Sequence, residues 1–324
     1  MTYPVIMDVD TGIDDAMAIM FAVRHPDIDL RAISCVAGNA AVDQVLANTL
    51  RILDVVKAPD IPVAAGATRP LIEKPRDASY VHGSDGLANL PLPTSRRTPY
   101  RGHAVELLKE QITRSSEPVT IVALAPMTNL ALLLRTYPEV ATNIARILFM
   151  GGSATIGNAT AVAEFNIWHD PEAARIVLEG GVPLTMYGLD VFNHVAVDEA
   201  TVAHLAASED NVAKVLGGLL GHLIPDPDGG DHAYRLSGDA GAVCALVAPE
   251  LATIETHPVA VELAPGNSRG QTIVDRRHYI GEDSIHPEGK KPWPVADVVL
   301  EVDAEQFVQL FLRTLGVLTP VDAG

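Results

Sequence analysis

The sequence predicts an α/β fold in which an open, mostly parallel central sheet is flanked by helices on both faces. Two observations support this prediction: short apolar runs recur along the chain, and segments with apolar residues at helical spacing lie between them. Strands that alternate with helices favour a parallel sheet, because the crossover helices cover both of its faces. The predicted strands are 5–7, 30–36, 119–124, 145–150 and 184–187. The predicted helices include 14–24, 240–247 and 305–315.

Two long segments, 70–103 and 224–238, interrupt this alternation. The first is rich in proline, glycine and charged residues, and the second contains the run Pro-Asp-Pro-Asp-Gly-Gly-Asp-His. Loops of this length in a compact domain are usually functional or disordered. Each contains a histidine, His82 and His232. Because residues with chemically reactive side chains are spread along the whole chain, we expect a single domain over 1–324.

The composition limits the class of function. The chain has 324 residues, of which 48% are hydrophobic, so it can bury a large core. Its 41 acidic residues outnumber 23 lysines and arginines, which gives a formal net charge of -18. Such a surface repels polyanions, so we expect no nucleic acid polymer as partner.

The sequence also predicts a cytoplasmic protein with no membrane partner. The start of the chain lacks the basic region and the long apolar region of a secretory signal. No stretch approaches eighteen uninterrupted apolar residues. Two cysteines, Cys35 and Cys244, cannot form a disulfide framework, and we interpret both as buried small hydrophobic residues.

The most informative segment follows the first predicted strand. Asp8, Asp10, Asp14 and Asp15 place four carboxylates within eight residues. Carboxylates this close raise one another's pKa unless a cation, hydrogen-bond donors or solvent compensates. Asp14 and Asp15 alone could be explained as acids in the first turn of a helix. Asp8 and Asp10 lie at the end of the strand, where no cap is needed, so we favour a metal site.

All-oxygen ligands indicate calcium or magnesium rather than zinc. Calcium is favoured if the site also recruits backbone carbonyls. A further acid from a distant part of the chain would complete such a site, and Asp239 in the run Ser-Gly-Asp-Ala is a candidate. Seen alone, Asp239 is more often a helix cap.

The run from Asp8 to Ala16, Asp-Val-Asp-Thr-Gly-Ile-Asp-Asp-Ala, resembles the signature of the inosine-uridine-preferring nucleoside hydrolases. Further blocks resemble that family in the same order, and they are 37–39, 125–131, 150–152, 157–158 and 163–171. The resemblance implies a nucleoside hydrolase-like, Rossmann-like open sheet, a small-molecule ribonucleoside substrate, a role in nucleoside salvage, and a homodimer or homotetramer.

The resemblance also implies roles for individual residues. One Ca²⁺ is held by Asp10, Asp15, the backbone carbonyl of Leu124 and Asp239, and Asp10 is the general base. The residues assigned to the ribose hydroxyls are Asp14, Asn39, Asn158, Glu164 and Asn166, and those that line the pocket are Met150 and Phe165. This chemistry is consistent with the residue types, because cleavage of an N-glycosidic bond develops positive charge on the ribosyl ring that acids and amide oxygens stabilise.

Spacing suggests how the ribose is held. Glu164 and Asn166 are two residues apart, so on an extended segment they project to the same side. Asn158 and Asn166, taken singly, are more typical of ordinary turns.

One position departs from the family pattern. In many members the acid corresponding to Asp239 follows a histidine that protonates the departing base, whereas this chain has Gly238. Three residues could replace that donor. His82 ranks first, because its loop, Val-His-Gly-Ser-Asp-Gly-Leu, resembles one that carries an active-site histidine in some pyrimidine-preferring members. His232 and Tyr234 follow, and a histidine in a polar loop is more often a surface residue.

Two alternative functions are left open by the sequence. The missing histidine is consistent with a nucleoside- or ribose-binding protein that has lost turnover. The run Asp8-Val9-Asp10-Thr11 also resembles the start of magnesium-dependent haloacid-dehalogenase-type phosphatases. That family expects a second acid near Asp239, which Ala240 to Val243 do not supply, and it leaves the run from Glu164 to Asn166 without a role.

Overall fold

The computed structural model describes residues 2–222, 238–286 and 292–317. Nine strands form one sheet in the order β3-β2-β1-β4-β5-β6-β9-β7-β8. The strands are β1 Tyr3–Val9, β2 Ile28–Cys35, β3 Val63–Ala65, β4 Val119–Ala123, β5 Ile144–Met150, β6 Leu184–Tyr187, β7 Ala252–Val261, β8 Thr272–Val274 and β9 Val295–Val302. All neighbouring pairs from β3 to β9 are parallel, whereas β7 pairs antiparallel with both β9 and β8. The mostly parallel sheet predicted from the sequence is therefore confirmed.

Helices cover both faces of the sheet. They are α1 Ile13–Arg24, α2 Val42–Val55, α3 Ser79–His82, α4 Ala104–Arg114, α5 Thr128–Thr136, α6 Phe165–His169, α7 Pro171–Leu178, α8 Leu189–Phe192, α9 Glu199–Ala206, α10 Asn211–Leu220, α11 Gly238–Val247, α12 Glu282–Ile285 and α13 Ala304–Leu315. No helix within the described ranges is long and apolar enough to cross a membrane.

The side chains of β1 alternate between two cores, as expected for a strand buried on both faces. Val5 and Met7 pack into the core that contains α1, α11 and α13, where the rings of Phe21 and Phe311 stack with centroids 5.9 Å apart. Ile6 packs into the opposite core, formed with α4, α5 and α7. The central strand is thereby fixed in register.

The strand order reverses direction between β1 and β4. From β1, the chain adds β2 and β3 on one side, and β4, β5 and β6 on the other. At such a point the loops that follow two adjacent parallel strands separate and leave a crevice at their carboxyl ends. The loop after β1 carries Asp10, and the loop after β4 begins at Leu124. The topology therefore places the predicted metal ligands at the crevice.

The two segments predicted as long loops differ in what the structure describes. The 70–103 segment connects β3 to α4 and contains one short helix, α3, which ends at His82. In the second segment, 224–237 lies outside the described residues, and with it the candidates His232 and Tyr234. Helix α11 begins at Gly238, two residues before the predicted start.

Candidate active site

Three acidic side chains from two distant parts of the chain meet at the carboxyl end of the sheet. Asp14 and Asp15 lie in the first turn of α1, and Asp239 lies in the first turn of α11. Carboxylate oxygens of these three residues lie within 4.8 Å of one another. Asp10, at the end of β1, adds a fourth, fully buried carboxylate that interacts electrostatically with Asp15 and Asp239.

Asp10, Asp15 and Asp239 are buried carboxylates, and Asp14 is half-buried. Burial, reinforced by the charge of Asp14, raises the pKa of Asp15 to about 8. Burial also raises the pKa of Asp10 and of Asp239 well above the usual range, and neighbouring carboxylates raise both further. Among the described residues, Oδ1 of Asp10, of Asp14 and of Asp239 has no hydrogen-bond partner. Orphaned buried oxygens on clustered acids fit a hard divalent cation, which takes carboxylate ligands.

Backbone donors hold the carboxylates in place. Asp10 Oδ2 accepts a hydrogen bond from the Asn39 backbone N–H at 2.7 Å. Asp15 accepts from the backbone N–H of Gly12 at 2.9 Å and of Asp10 at 3.2 Å, and from Asn39 Nδ2 at 3.3 Å. A Cβ atom on Gly38 would lie 2.0 Å from Asp10 Oδ2, so only glycine admits the Asp10 carboxylate here.

Asp8 lies apart from this cluster, although period two places it on the same side of β1 as Asp10. Its Oδ1 accepts hydrogen bonds from Ser34 Oγ at 2.5 Å and Asn129 Nδ2 at 2.9 Å. Burial raises its pKa to about 7, and both hydrogen bonds oppose that rise. Asn129 also donates to the Cys35 carbonyl at 3.1 Å and accepts from the Ala67 N–H at 2.9 Å. Asp8 therefore anchors Asn129, which ties together the ends of β1, β2 and β3.

The opposite wall of the site comes from the start of α6. Glu164 caps this helix and accepts backbone hydrogen bonds from Asn166 at 2.8 Å, Gly152 at 3.0 Å and Ile167 at 3.1 Å. Burial raises the pKa of Glu164 to about 7 despite these donors. The extended conformation predicted for 164–166 is wrong, because Phe165–His169 is helical and Glu164 alone is extended. The capping bonds of Glu164 favour the helical turn.

Asn166 connects this wall to the ends of two central strands. Its Nδ2 donates to the backbone carbonyls of Leu124 at 2.9 Å and Met150 at 3.1 Å. A carbonyl oxygen has two lone pairs, so Leu124 retains one for a cation. Asn158 lies nearby, where its Oδ1 accepts a hydrogen bond from the Phe165 N–H at 2.9 Å.

A cavity of about 290 Å³ brings these elements together. Its lining includes Asp14, Asn39, Leu124, Met150, Asn158, Glu164, Phe165, Asn166, Asp239 and His82 from the predicted set, and Ala78, Tyr80, Val81, Ala159, Phe192 and Asn193, which the sequence did not single out. The polar, buried side chains lie beside the acidic cluster. The cavity therefore offers polar side chains to a ligand that carries hydroxyl groups.

His82 reaches the site from the 70–103 segment. Its Nδ1 accepts a hydrogen bond from the Ile13 N–H at 3.2 Å and lies 3.8 Å from Asp14 Oδ1. Burial lowers the pKa of His82, and the charge of Asp14 opposes that shift. Because Nδ1 accepts from a backbone N–H, the neutral ring carries its proton on Nε2. His82 therefore offers an N–H donor at the cavity.

Asn129 and Phe192 are two of the residues in or behind the site that the sequence did not single out. Asn129 belongs to a block, 125–131, that was noted without a role for the residue. Phe192 follows β6 by five residues, at the same edge of the sheet as Asp10. Its position after a predicted strand was the only available signal.

Comparisons with known proteins agree with this geometry. A family model described as Inosine-uridine preferring nucleoside hydrolase matches residues 5–309. The pyrimidine-specific ribonucleoside hydrolase RihA of Salmonella schwarzengrund is 39% identical over 319 residues, which cover 97% of this chain and 99% of the relative. Two solved structures are also similar. A plant nucleoside hydrolase, the PpNRh1 enzyme, matches with a TM-score of 0.88 at 31% identity, and the match covers 97% of this chain and 99% of that one.

The second solved structure is a purine-preferring ribonucleoside hydrolase from Gardnerella vaginalis, with a TM-score of 0.84 at 28% identity and coverage of 96% of this chain and 98% of that one. The family match includes both the acidic segment and the run from Glu164 to Asn166, so the phosphatase alternative is not supported. The chain therefore belongs to the inosine-uridine preferring nucleoside hydrolase family and is an enzyme that hydrolyses the N-glycosidic bond of ribonucleosides.

Proposed function

We propose that this hydrolase uses Ca²⁺ and prefers pyrimidine ribonucleosides, which it converts to ribose and the free base within a single catalytic domain. The observation that carries the metal proposal is the convergence of Asp10, Asp14, Asp15 and Asp239, three of which have a buried oxygen without a partner among the described residues. Magnesium remains a chemical competitor for oxygen ligands. Calcium is favoured because Leu124 lines the cavity and could offer its backbone carbonyl, a ligand that calcium accepts in irregular shells.

The proposed Ca²⁺ ligands are Asp10, Asp15, the Leu124 carbonyl and Asp239. When bound, calcium supplies positive charge that orients a water molecule, lowers its pKa and grips ribose hydroxyls. Asp10 is proposed as the general base, since its Oδ1 has no hydrogen-bond partner in the described part of the chain while Oδ2 is fixed by Asn39. Asp10 takes a proton from the attacking water as the water oxygen bonds to the anomeric carbon. The N-glycosidic electron pair leaves with the base.

The ribose is proposed to lie between the acidic cluster and the α6 wall. Asp14, Asn39, Asn158, Glu164 and Asn166 would bind its hydroxyls, and Met150 and Phe165 would pack against the sugar. As the bond breaks, positive charge develops on the ring. Fixed carboxylate and amide oxygens in a buried site stabilise that charge without reorganising, and this favours the transition state over the ground state.

His82 is proposed to assist the leaving base. Its Nε2–H can donate a hydrogen bond to the base while negative charge develops there, and the hydrogen bond from Ile13 to Nδ1 fixes the required tautomer. His232 and Tyr234 stay as lower-ranked proposals for the same role, on residues outside the described part of the chain.

Replacing His82 by alanine is expected to lower kcat for uridine by roughly 100-fold, the low end of the range for general acid–base catalysis. The loss should vanish for 4-nitrophenyl riboside, whose leaving group departs without protonation. Steady-state kinetics on both substrates tests this, with His194→Ala as a control at an exposed histidine outside the cavity. An unchanged rate for every cleaved nucleoside would remove His82 from the mechanism.

The pyrimidine preference rests on the name of the 39%-identical relative, a pyrimidine-specific ribonucleoside hydrolase. We expect kcat/KM for uridine or cytidine to exceed that for inosine, adenosine and guanosine by roughly tenfold or more. Ribose release from this panel measures the ratio. A higher value for inosine or guanosine would reverse the proposed preference while leaving the reaction class intact.

We further propose a cytoplasmic homodimer or homotetramer. Cys35 and Cys244 are buried free thiols, as is usual in a reducing compartment. Tyr279, Ile280 and Ile285 are exposed apolar side chains close in sequence, a feature typical of contact surfaces. Light scattering that finds a monomer at assay concentrations would contradict the assembly, and cell fractionation tests the location.

A further inference from the structure

The ring of Phe192 forms one wall of the active-site cavity. Helix α8 follows β6 directly and ends at this residue, which is half-buried and lines the cavity together with Asp14 and Asp239. Phe192 is neither a proposed metal ligand nor a proposed proton donor or acceptor. Its chemistry differs from that of the acidic cluster, since a phenyl ring neither binds a cation of this kind nor moves a proton.

Phe192 packs directly on Gly238, the residue before Asp239. A Cβ atom on Gly238 would lie 1.9 Å from Phe192 Cδ2 and 2.7 Å from Cε2. Real atoms do not approach so closely, so the ring occupies the space that any side chain at Gly238 would need. The ring of Phe192 therefore fits in its observed position because residue 238 has no side chain.

The backbone of α8 holds the ring in place. The Leu189 N–H donates to the Gly152 carbonyl at 3.0 Å. The Asp190 carboxylate accepts from the Ala154 N–H at 2.8 Å and from Thr155 Oγ1 at 2.7 Å. These hydrogen bonds tie α8 to the loop after β5, and Phe192 is the last residue of this anchored helix.

The cavity lining contains two chemically different sets of side chains. Buried Asn39, Glu164, Asn166 and Asp239 form a polar set suited to the hydroxyls of ribose. The rest of the lining includes the aromatic side chains of Phe192 and Tyr80, and Tyr80 is 70% exposed. A ribonucleoside has the same division, since a planar base is attached to a hydroxylated sugar.

We propose that Phe192 is a specificity-determining residue that contacts the nucleobase, and that Gly238 is required to leave room for its ring. This inference rests on the proposed function, because it assigns an aromatic side chain of the cavity lining to the base of the same substrate. Residue 238 has no side chain with which to recognise the base, and apolar contact with the ring of Phe192 takes that role. The contact is expected to strengthen the binding of nucleosides and to leave the binding of free ribose unchanged.

The test compares Phe192→Leu, which removes the ring but keeps an apolar side chain, with Phe192→Tyr, which keeps the ring. Base–aromatic stacking contributes enough that its loss should raise KM for uridine roughly 5- to 100-fold in the leucine variant. The tyrosine variant should stay within about threefold of the unaltered enzyme. The inhibition constant of free ribose should be the same in both. Tyr137→Leu, which removes an aromatic ring at another half-buried position outside this cavity, is the matched control.

A double-mutant cycle tests the link with Gly238. Gly238→Ala should displace the ring and raise KM for uridine as Phe192→Leu does, and the double variant should lose little more than either single variant. Equal changes in uridine and ribose binding, or no change in the leucine variant, would overturn the proposal. Failure of the unaltered enzyme to release ribose would instead overturn the proposed function. Calorimetric binding of uridine and ribose to the same variants would then still decide the role of Phe192.

Discussion

Replacing Asp10 by asparagine is expected to lower kcat for uridine hydrolysis by roughly 1000-fold. Asparagine keeps an oxygen that can accept the Asn39 N–H and bind a cation, but it cannot take a proton from water. The substitution also removes a buried ionisable group. Burial disfavours the charged form of Asp10 and therefore raises its pKa. The metal-free variant should therefore unfold at the same temperature as the unaltered protein or at a higher one.

Kinetics and thermal unfolding of the same preparations separate the two effects. Asp60→Asn makes the same chemical change at an exposed loop position and should alter neither quantity. A kcat within about tenfold of the unaltered enzyme would show that another group accepts the proton. Loss of folding in the metal-free variant would show that the carboxylate of Asp10 stabilises the chain without a cation.

The free energy of unfolding of the metal-free protein is expected to fall as the pH rises from about 5 to 8, and this is the second large effect. The pKa of Asp15 is raised to about 8, and those of Asp8 and Glu164 to about 7, all chiefly by burial. In this window the folded state holds protons that the unfolded state releases. The contribution of these groups to stability is therefore fully present below their pKa in the unfolded state, near 4, and is lost as the pH rises through their pKa values in the folded state.

Calcium should reverse this trend because it binds the deprotonated carboxylates. The increase in unfolding temperature caused by calcium is expected to be larger at pH 8 than at pH 5.5. Calcium at 100 times its dissociation constant stabilises by about 2.7 kcal/mol, which corresponds to a shift on the order of 5 °C for a chain of this size. Scanning calorimetry with chelated and calcium-loaded protein measures both quantities. A calcium shift that is equal at both pH values would contradict the link between these carboxylates and the cation.

The sheet could be predicted from the sequence because its signals are local. Buried strands such as β1, β2 and β4 appear as short apolar runs, and the parallel order follows from the helices between them. The position of Asp10 and of Asp14 and Asp15 at the edge of the sheet follows from their place between a strand and a helix. By contrast, β7 and β9 pair antiparallel through a register that no local pattern specifies.

The site could be predicted only as far as local pattern and resemblance extend. The residues at 164–166 were expected to be extended. Instead, the Glu164 carboxylate accepts hydrogen bonds from three backbone N–H groups, and a helix begins at the next residue. One of these donors belongs to Gly152, whose position is not encoded in the local sequence. The contact between Phe192 and Gly238 joins segments whose separation in sequence gives no signal. Asp8 lies two residues before Asp10 and so on the same side of the strand, yet its carboxylate is hydrogen-bonded to Ser34 and Asn129 in the core.

The central claim is that calcium held by the acidic cluster is required to cleave a ribonucleoside. Its most direct test is release of free ribose from uridine by protein stripped of divalent metal, measured before and after addition of calcium. We predict no release from the stripped protein and full release after calcium is restored. Undiminished release without metal would contradict the claim, as would uridine binding without ribose release in calcium-loaded protein, which would indicate a nucleoside-binding protein that has lost turnover.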